Sequence, residues 1–182
     1  MAVVNLKSTI ITNRDAVPAV INDGRLERAT VKSADGSVTA GAADTGGATY
    51  ATGTTYVIAS LPSTSFVRNV LFSNAALTGG VVSVGVGQNT KNSLGLAFPA
   101  AINATATALF ASALSIAAAA SKVNITNQSG NYTLTKQEQP LWQAAGMAAD
   151  PGGTLDIIIL LTTSVAAGGL IGFSIQYVDN GS

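Results

Sequence analysis

The stretch "TLDIIILLTT" (Thr154–Thr163), followed after a Gly-Gly step by "GLIGFSIQYVD" (Gly169–Asp179), decides the fold. In the first segment Leu155, Ile157, Ile159 and Leu161 fall on one side of an extended chain. Asp156, Ile158, Leu160 and Thr162 fall on the other, because side chains alternate along a strand. Both sides are largely apolar at the centre, which predicts a central strand covered on both faces. In the second segment Ile171, Phe173, Ile175 and Tyr177 alternate with Gly172, Ser174, Gln176 and Val178. That pattern predicts a hairpin partner with one buried face, connected through Gly168-Gly169.

Working outward, the same period of two recurs. Val82, Val84 and Val86 alternate with Ser83, Gly85 and Gly87 after a Gly79-Gly80 turn, predicting a half-buried strand. Thr54 to Leu61 is a strand ended by Pro62. In the next run Phe66, Val70 and Phe72 share a face opposite Val67, Asn69, Leu71 and Ser73. Arg68 falls on the Phe face, so it lies at an edge, is paired, or breaks the pattern. Thr105 to Ala117 suits an Ala-rich helix or a strand, and its small-polar alternation favours a strand. Val123 to Thr126 is another short strand. Asp35-Gly36 is a tight-turn pair and predicts a hairpin. About eight to ten short strands result. The predicted fold class is all-β: an antiparallel β-sandwich or jelly roll with one short helix and an extended N-terminal arm. Residues 1–25 read as the arm and 26–182 as the sandwich domain.

The helical signal is "LTKQEQPLWQAAGMAADPGG" (Leu134–Gly153), with the chain's single Trp. Thr135 and Glu138 have the spacing of a capping box, and Leu134 sits where a staple residue would. Leu141, Trp142 and Ala145 share a helical face, and Gly146 fits the stop. Pro140 falls past the first turn, so a break is expected there. Trp142 as a ligand platform and Glu138 as a catalytic acid form one reading. A plug over the sheet and a cap form the other, which is favoured because no His, Cys or paired acid accompanies them.

Composition narrows the functional classes. The 182 residues fit one domain, and charged residues make up only 10%, against about 25% in ordinary globular chains. Thr, Ser, Asn, Gln and Gly must therefore cover the surface, which favours a chain partly buried in an assembly. The net charge is zero, so no basic footprint for nucleic acid is present. With no Cys, disulfides and thiolate chemistry are excluded; with no His, the commonest metal ligand and general base are missing. Met1–Lys7 does not read as a secretory signal. The longest apolar run, Ile157–Leu161, falls far short of the ~20 residues of a membrane helix.

Candidate sites are few. No two carboxylates form a DxD or DxE pair, so no glycosidase-type pair is legible. Asp150-Pro151-Gly152 reads as a turn former rather than a calcium loop. "GGVVSVGVG" lacks the Lys and the context of a phosphate loop. Asn103, Asn124, Asn127 and Asn131 match the glycosylation pattern, as chance allows in a chain so rich in Asn, Ser and Thr. No catalytic, cofactor-binding or metal-binding residue is assigned, and no cofactor is expected. Charge concentrates early: Lys7, Arg14, Asp15, Asp23, Arg25, Glu27, Arg28, Lys32, Asp35 and Asp44 are ten of the 18 charged residues.

Four segments together resemble one family. They are "KSTIITNRDA" (Lys7–Ala16), "FASALSIA" (Phe110–Ala117), "ITNQSGNYTLTKQEQPLWQAAGMAADP" (Ile125–Pro151) and "FSIQYV" (Phe173–Val178). They resemble tailed-bacteriophage virion proteins encoded near the major capsid protein, read as capsid decoration or cement proteins. The family pattern has "EKPLWE" where this chain has "EQPLWQ", with two fewer charges, and Leu155-Asp156-Ile157 replaces a Tyr-containing strand. The resemblance implies a cementing role on the capsid exterior, with the major capsid protein as partner, commonly as a trimer. A polar arm suits strand addition to a partner's sheet edge. Lys7, Thr12, Asn13, Arg14 and Asp15 are the candidate contact residues, with Arg14 and Asp15 as pairing candidates. No nucleic-acid or membrane partner is expected. The alternative is a receptor- or carbohydrate-binding module, which would want an exposed aromatic cluster where the sequence has only scattered Tyr50, Tyr56, Tyr132 and Tyr177. An enzyme is disfavoured by the missing His and Cys.

Overall fold

The computed structural model describes residues 30–40, 52–87, 104–165 and 168–179. The predicted arm, with Lys7, Thr12, Asn13, Arg14 and Asp15, lies outside the described residues, and so does its expected boundary at residue 25. Eight strands are present among those described: β1 (Thr30–Ala40), β2 (Thr55–Pro62), β3 (Phe66–Asn74), β4 (Val81–Gly87), β5 (Ala111–Ser115), β6 (Ala120–Asn124), β7 (Thr154–Thr163) and β8 (Gly169–Asp179). A 3-10 turn covers Ala104–Ala108, and two single-turn helices come after β6: α1 (Leu134–Gln137) and α2 (Leu141–Ala144).

The strands form two four-stranded antiparallel sheets, ordered β1-β8-β3-β6 and β2-β7-β4-β5. Four of the antiparallel pairs are β1 with β8, β2 with β7, β3 with β6 and β4 with β5. First therefore meets last and inner meets inner, as if one long hairpin had been rolled up. This resolves the two predicted architectures in favour of the jelly roll.

The core fills the space between the sheets. From β3 and β4 come Val67, Val70, Phe72, Val82, Val84 and Val86; from β7 and β8 come Leu155, Ile157, Ile159, Leu161, Ile171 and Ile175. All are buried. β7 is central, between β2 and β4, and its outward Asp156 and Ile158 are buried as well. The two-sided apolar pattern is thus met by cover on both faces.

Several expectations are corrected. Asp35-Gly36 makes no hairpin: β1 runs through it, paired with β8 from Thr30↔Asp179 to Ala40↔Gly169 without a break. Gly36 faces Phe173, and a Cβ there would lie 2.7 Å from the ring's Cζ, so the glycine makes room rather than a turn. β7 and β8 are not a hairpin either, because they belong to opposite sheets and Gly168-Gly169 lies on the crossing. β4 is not half-buried: Ser83, Gly85 and Gly87 are buried along with the valines. The Ala104–Ala108 turn lies on that outer face, close enough that a Cβ on Gly85 would overlap the backbone of residues 106–109. The strand predicted over Thr105–Ala117 is this turn followed by β5. The strand predicted at Val123–Thr126 is instead Ala120–Asn124, although Ile125 N–H still donates to the Val70 carbonyl.

Arg68 is explained by a bulge. The β3–β8 register shifts between Val67 and Asn69, so Val67 points inward before it, and Val70 and Phe72 after it. Arg68 is the extra residue, exposed, with its Nη1 donating to the Gln137 carbonyl at 3.3 Å. A one-residue insertion inverts the alternation, and Phe66 consequently leaves the core face.

The helical segment is two turns, not one. Pro140 precedes α2 with extended backbone and ends α1, as its missing N–H requires. The capping box does not form. The N-cap is Thr133, without a side-chain bond; Glu138 sits at the far end of α1, and Leu134 is 77% exposed rather than a staple. The first N–H groups of α2 find carbonyls of the β2–β3 turn instead: Leu141 donates to Ser65 (2.8 Å) and Trp142 to Ser63 (3.1 Å). Leu141 and Ala144 are buried, and Trp142 is half-buried against the core, as a plug over the sheet would be. Gly146 (φ 81°) ends the turn in the left-handed region, where glycine carries no steric penalty. Tyr132 anchors the preceding loop. It is buried, meets Phe110 edge-on at 5.0 Å and donates its OH to the Val67 carbonyl at 2.7 Å.

Candidate docking face

The two sheets present different outer faces. On β2-β7-β4-β5 the outer Ser83, Gly85 and Gly87 of β4 and the outer Asp156 and Ile158 of β7 are buried, while Leu160 is half-buried and Thr162 exposed. On β1-β8-β3-β6 the outer positions stand in cross-strand rows that the register fixes: Val31–Val178–Phe66, Ser33–Gln176, Asp35–Ser174–Leu71, Ser37–Gly172–Ser73 and Thr39–Leu170. Val31 and Leu170 are 65% and 54% exposed, so large apolar groups stand at both ends of a small-polar field. Asn69, past the bulge, faces Gln176 with Nδ2 and Oε1 3.5 Å apart.

A depression of about 450 Å³ lies in this face, lined among others by Asp35, Leu71, Ser73, Lys122, Gly172 and Ser174. Asp35 stands on β1 and Lys122 on β6, so the two charges flank it from opposite ends of the sheet. Lys122 has φ 51°, beside a register shift between β3 and β6, and its N–H donates to Ser73 Oγ at 2.8 Å. Asp35 accepts from Ser33 Oγ at 3.1 Å. Neither charge is in an ion pair among the described residues. The ion pair on this sheet is Lys32–Asp179 at 2.6 Å, whose hydrogen bond and charge raise the Lys32 pKa above the ordinary lysine value.

The edges differ too. β5 and β6 are both short and interrupted by register shifts, and each has a left-handed non-glycine residue, Ala113 (φ 50°) and Lys122. Such irregularities blunt an edge against pairing. β1 is eleven residues long with unbroken register.

Other sequence candidates resolve into structural roles. Asp150 Oδ1 accepts from Gly152 N–H at 2.9 Å, a turn within the chain. Among the sequon residues, Asn124 accepts from Thr126, and Asn131 donates to the Ala108 carbonyl. No group of three metal-ligating side chains occurs among the described residues. None of the described helices is long and apolar enough to cross a membrane. The docking face itself was in the sequence as the alternating Gly172, Ser174 and Gln176 of β8. Its counterpart on β1 was hidden by the Asp35-Gly36 turn signal.

Among the described residues these features define an eight-stranded jelly roll. No family model and no curated protein matches the chain. Two solved structures do. A chain in the capsid of Ralstonia phage GP4 is 15% identical with a TM-score of 0.52, over 89% of this chain and 90% of that one. A chain in the cyanophage Pam1 capsid asymmetric unit is 16% identical with a TM-score of 0.48, over 90% and 96%. The GP4 likeness is one of fold.

Proposed function

We propose that this chain is a structural virion protein of a tailed bacteriophage. In this reading it binds the outer surface of the capsid and stabilises contacts between major capsid protein subunits. The observation that carries the reading is the fold likeness, over nearly the whole length, to a chain of the Ralstonia phage GP4 capsid. The resemblance of four sequence segments to capsid cement proteins supports it independently. So does a surface with few charges, which suits burial between neighbours. The arm is the proposed contact, through Lys7, Thr12, Asn13, Arg14 and Asp15. Twenty-five residues, if fully extended, reach at most about 90 Å, enough to bridge adjacent subunits and add avidity. A trimer is the proposed oligomer. The carbohydrate-binding alternative gains no support from the described members of its candidate aromatics: Tyr132 is buried, while Tyr56, Trp142 and Tyr177 are packed against the core, and Tyr50 lies outside the described residues.

Co-sedimentation with cognate capsids made without this protein tests the reading, with and without residues 1–25. Saturable binding at a fixed ratio to the major capsid protein, lost on deletion, is the expected result. Binding that survives deletion keeps the capsid role and moves the contact to the sandwich. No binding by the intact chain sinks the proposal.

A further inference from the structure

Each sheet has two edge strands, β1 and β6 in one, β2 and β5 in the other. Three of these edges are irregular. β5 and β6 carry register shifts and left-handed residues, and β2 has a shift between Val57 and Ala59 and ends at Pro62. β1 is eleven residues long, contains no proline and pairs with β8 without a shift. No strand lies on its far side among the described residues. Such an edge is a template for one more strand. The core-facing side of this edge is also incomplete. Ala34 and Val38 are only partly buried, and so is Phe173, whose ring lies across Gly36 with Cζ 2.7 Å from where a Cβ would stand. A strand added beside β1 would bring its side chains onto that ring.

The chain carries a segment that fits. In "VVNLKSTII" (Val3–Ile11), outside the described residues, Val4, Leu6 and Ile10 alternate with Asn5, Lys7 and Thr9. The segment can be set antiparallel to β1, like the other pairs of this sheet, with Lys7 opposite Asp35. Leu6 then falls opposite Gly36, against the Phe173 ring, and Val4 opposite Val38 on the core side. On the outer side Asn5 meets Ser37, Thr9 meets Ser33, and Ile11 covers Val31, which is 65% exposed. Opposite charges facing each other across a strand pair stabilise it, and Lys7 with Asp35 is such a pair. We infer that β1 receives Val3–Ile11 of a second copy of this chain. Pairing within one chain would make residues 12–29 a hairpin loop, against about 2–5 residues in ordinary hairpin loops. Between copies the same residues form a bridge. Each copy both donates and accepts a strand, so the contact is head-to-tail and closes into a ring. The inference rests on the oligomer proposed above and names its interface. Lys7 then joins copies, while Thr12, Asn13, Arg14 and Asp15 remain for the capsid.

The chain has no Cys, so every disulfide in the full-length variant Lys7→Cys/Asp35→Cys comes from the introduced residues. Opposite residues of an antiparallel pair have Cα atoms about 4.5–5.5 Å apart, within disulfide reach. Mild oxidation is expected to give covalent dimers and trimers on a non-reducing gel, with the bond mapped to residues 7 and 35 by mass spectrometry of peptides. A 7–35 bond confined to single chains places the segment on its own β1 and overturns the inference. Absence of that bond overturns it as well. Charge reversal reads the same contact without cysteine. Lys7→Glu should raise the dissociation constant between copies several-fold in sedimentation, and Lys7→Glu/Asp35→Lys should restore it. Assembly indifferent to both changes overturns the inference. None of these measurements uses capsids, so capsid binding by a chain that shows no 7–35 link would keep the proposed function and discard this interface alone.

Discussion

The two sheets have the same number of strands and the same packed inner faces, but their outer faces meet different things. Over β4 the chain returns as the Ala104–Ala108 turn, and Ser83, Gly85 and Ile158 are buried beneath that side. Over β8 nothing of the described chain returns, and serines, glutamine and glycine hold the surface. One face has been spent on the molecule's own stability. The other carries no cover from the described residues, and there a Cβ added at Gly172 would make only ordinary contacts with described atoms.

Substitution at Gly85 tests the contrast most strongly. Gly85→Val should force the 106–109 backbone away from β4 and destabilise the domain by about 3 kcal/mol or more, measured by chemical unfolding. Unchanged stability would mean the covering segment is not packed as described. Next comes a matched pair of outward residues. Ile158→Ala on the covered face should cost about 2–4 kcal/mol, as for buried aliphatics. Leu170→Ala on the open face should stay within about 0.5 kcal/mol. Equal effects would erase the distinction between the faces.

A further, pH-dependent effect concerns Tyr132, in the loop after β6. Tyr132→Phe removes the hydroxyl from the Val67 carbonyl and should cost about 1 kcal/mol. Burial holds the Tyr132 pKa up at about 12, against 10.0 for a free phenol, with Arg68 acting weakly the other way. The unfolded chain therefore loses this proton first. The stability it reflects is complete below pH ~10 and is lost between pH ~10 and ~12, by up to about 2–3 kcal/mol. Alkaline unfolding of Tyr132→Phe should lack that decline, and an identical profile would show that another group controls it.

Legibility in the sequence tracked the range of the interaction. The two-faced strand β7 was readable because alternation is local and its meaning, cover on both sides, does not depend on which segments provide it. Misreadings came from partners far away in sequence. Asp35-Gly36 has a turn's chemistry, yet Phe173 across the strand pair needs the space. Gly85 looked like the exposed side of a half-buried strand until the 104–108 segment lay on it. At Arg68 a single bulged residue inverted the phase, which no period-two template detects. The helix divided where Pro140 said it would, but Thr135 lost the capping role to Thr133, two residues earlier than its motif implied. Candidate contacts were legible only in part. The resemblance pointed to the arm, whereas the open face needed the register between β1, β8 and β3.

Pairing first strand with last also governs how the chain reaches its fold. Thr30 pairs with Asp179, so β1 has no partner strand in its sheet until β8 has been synthesised. Nested pairings of this kind close long loops before contacts compensate, which places folding in the millisecond-to-second range rather than in microseconds. During that interval the apolar β7 stands exposed in a chain with few charges to keep copies apart. Completion of β8 is the event that shelters it, so C-terminal truncation into Ile171–Val178 should yield aggregates rather than a smaller domain.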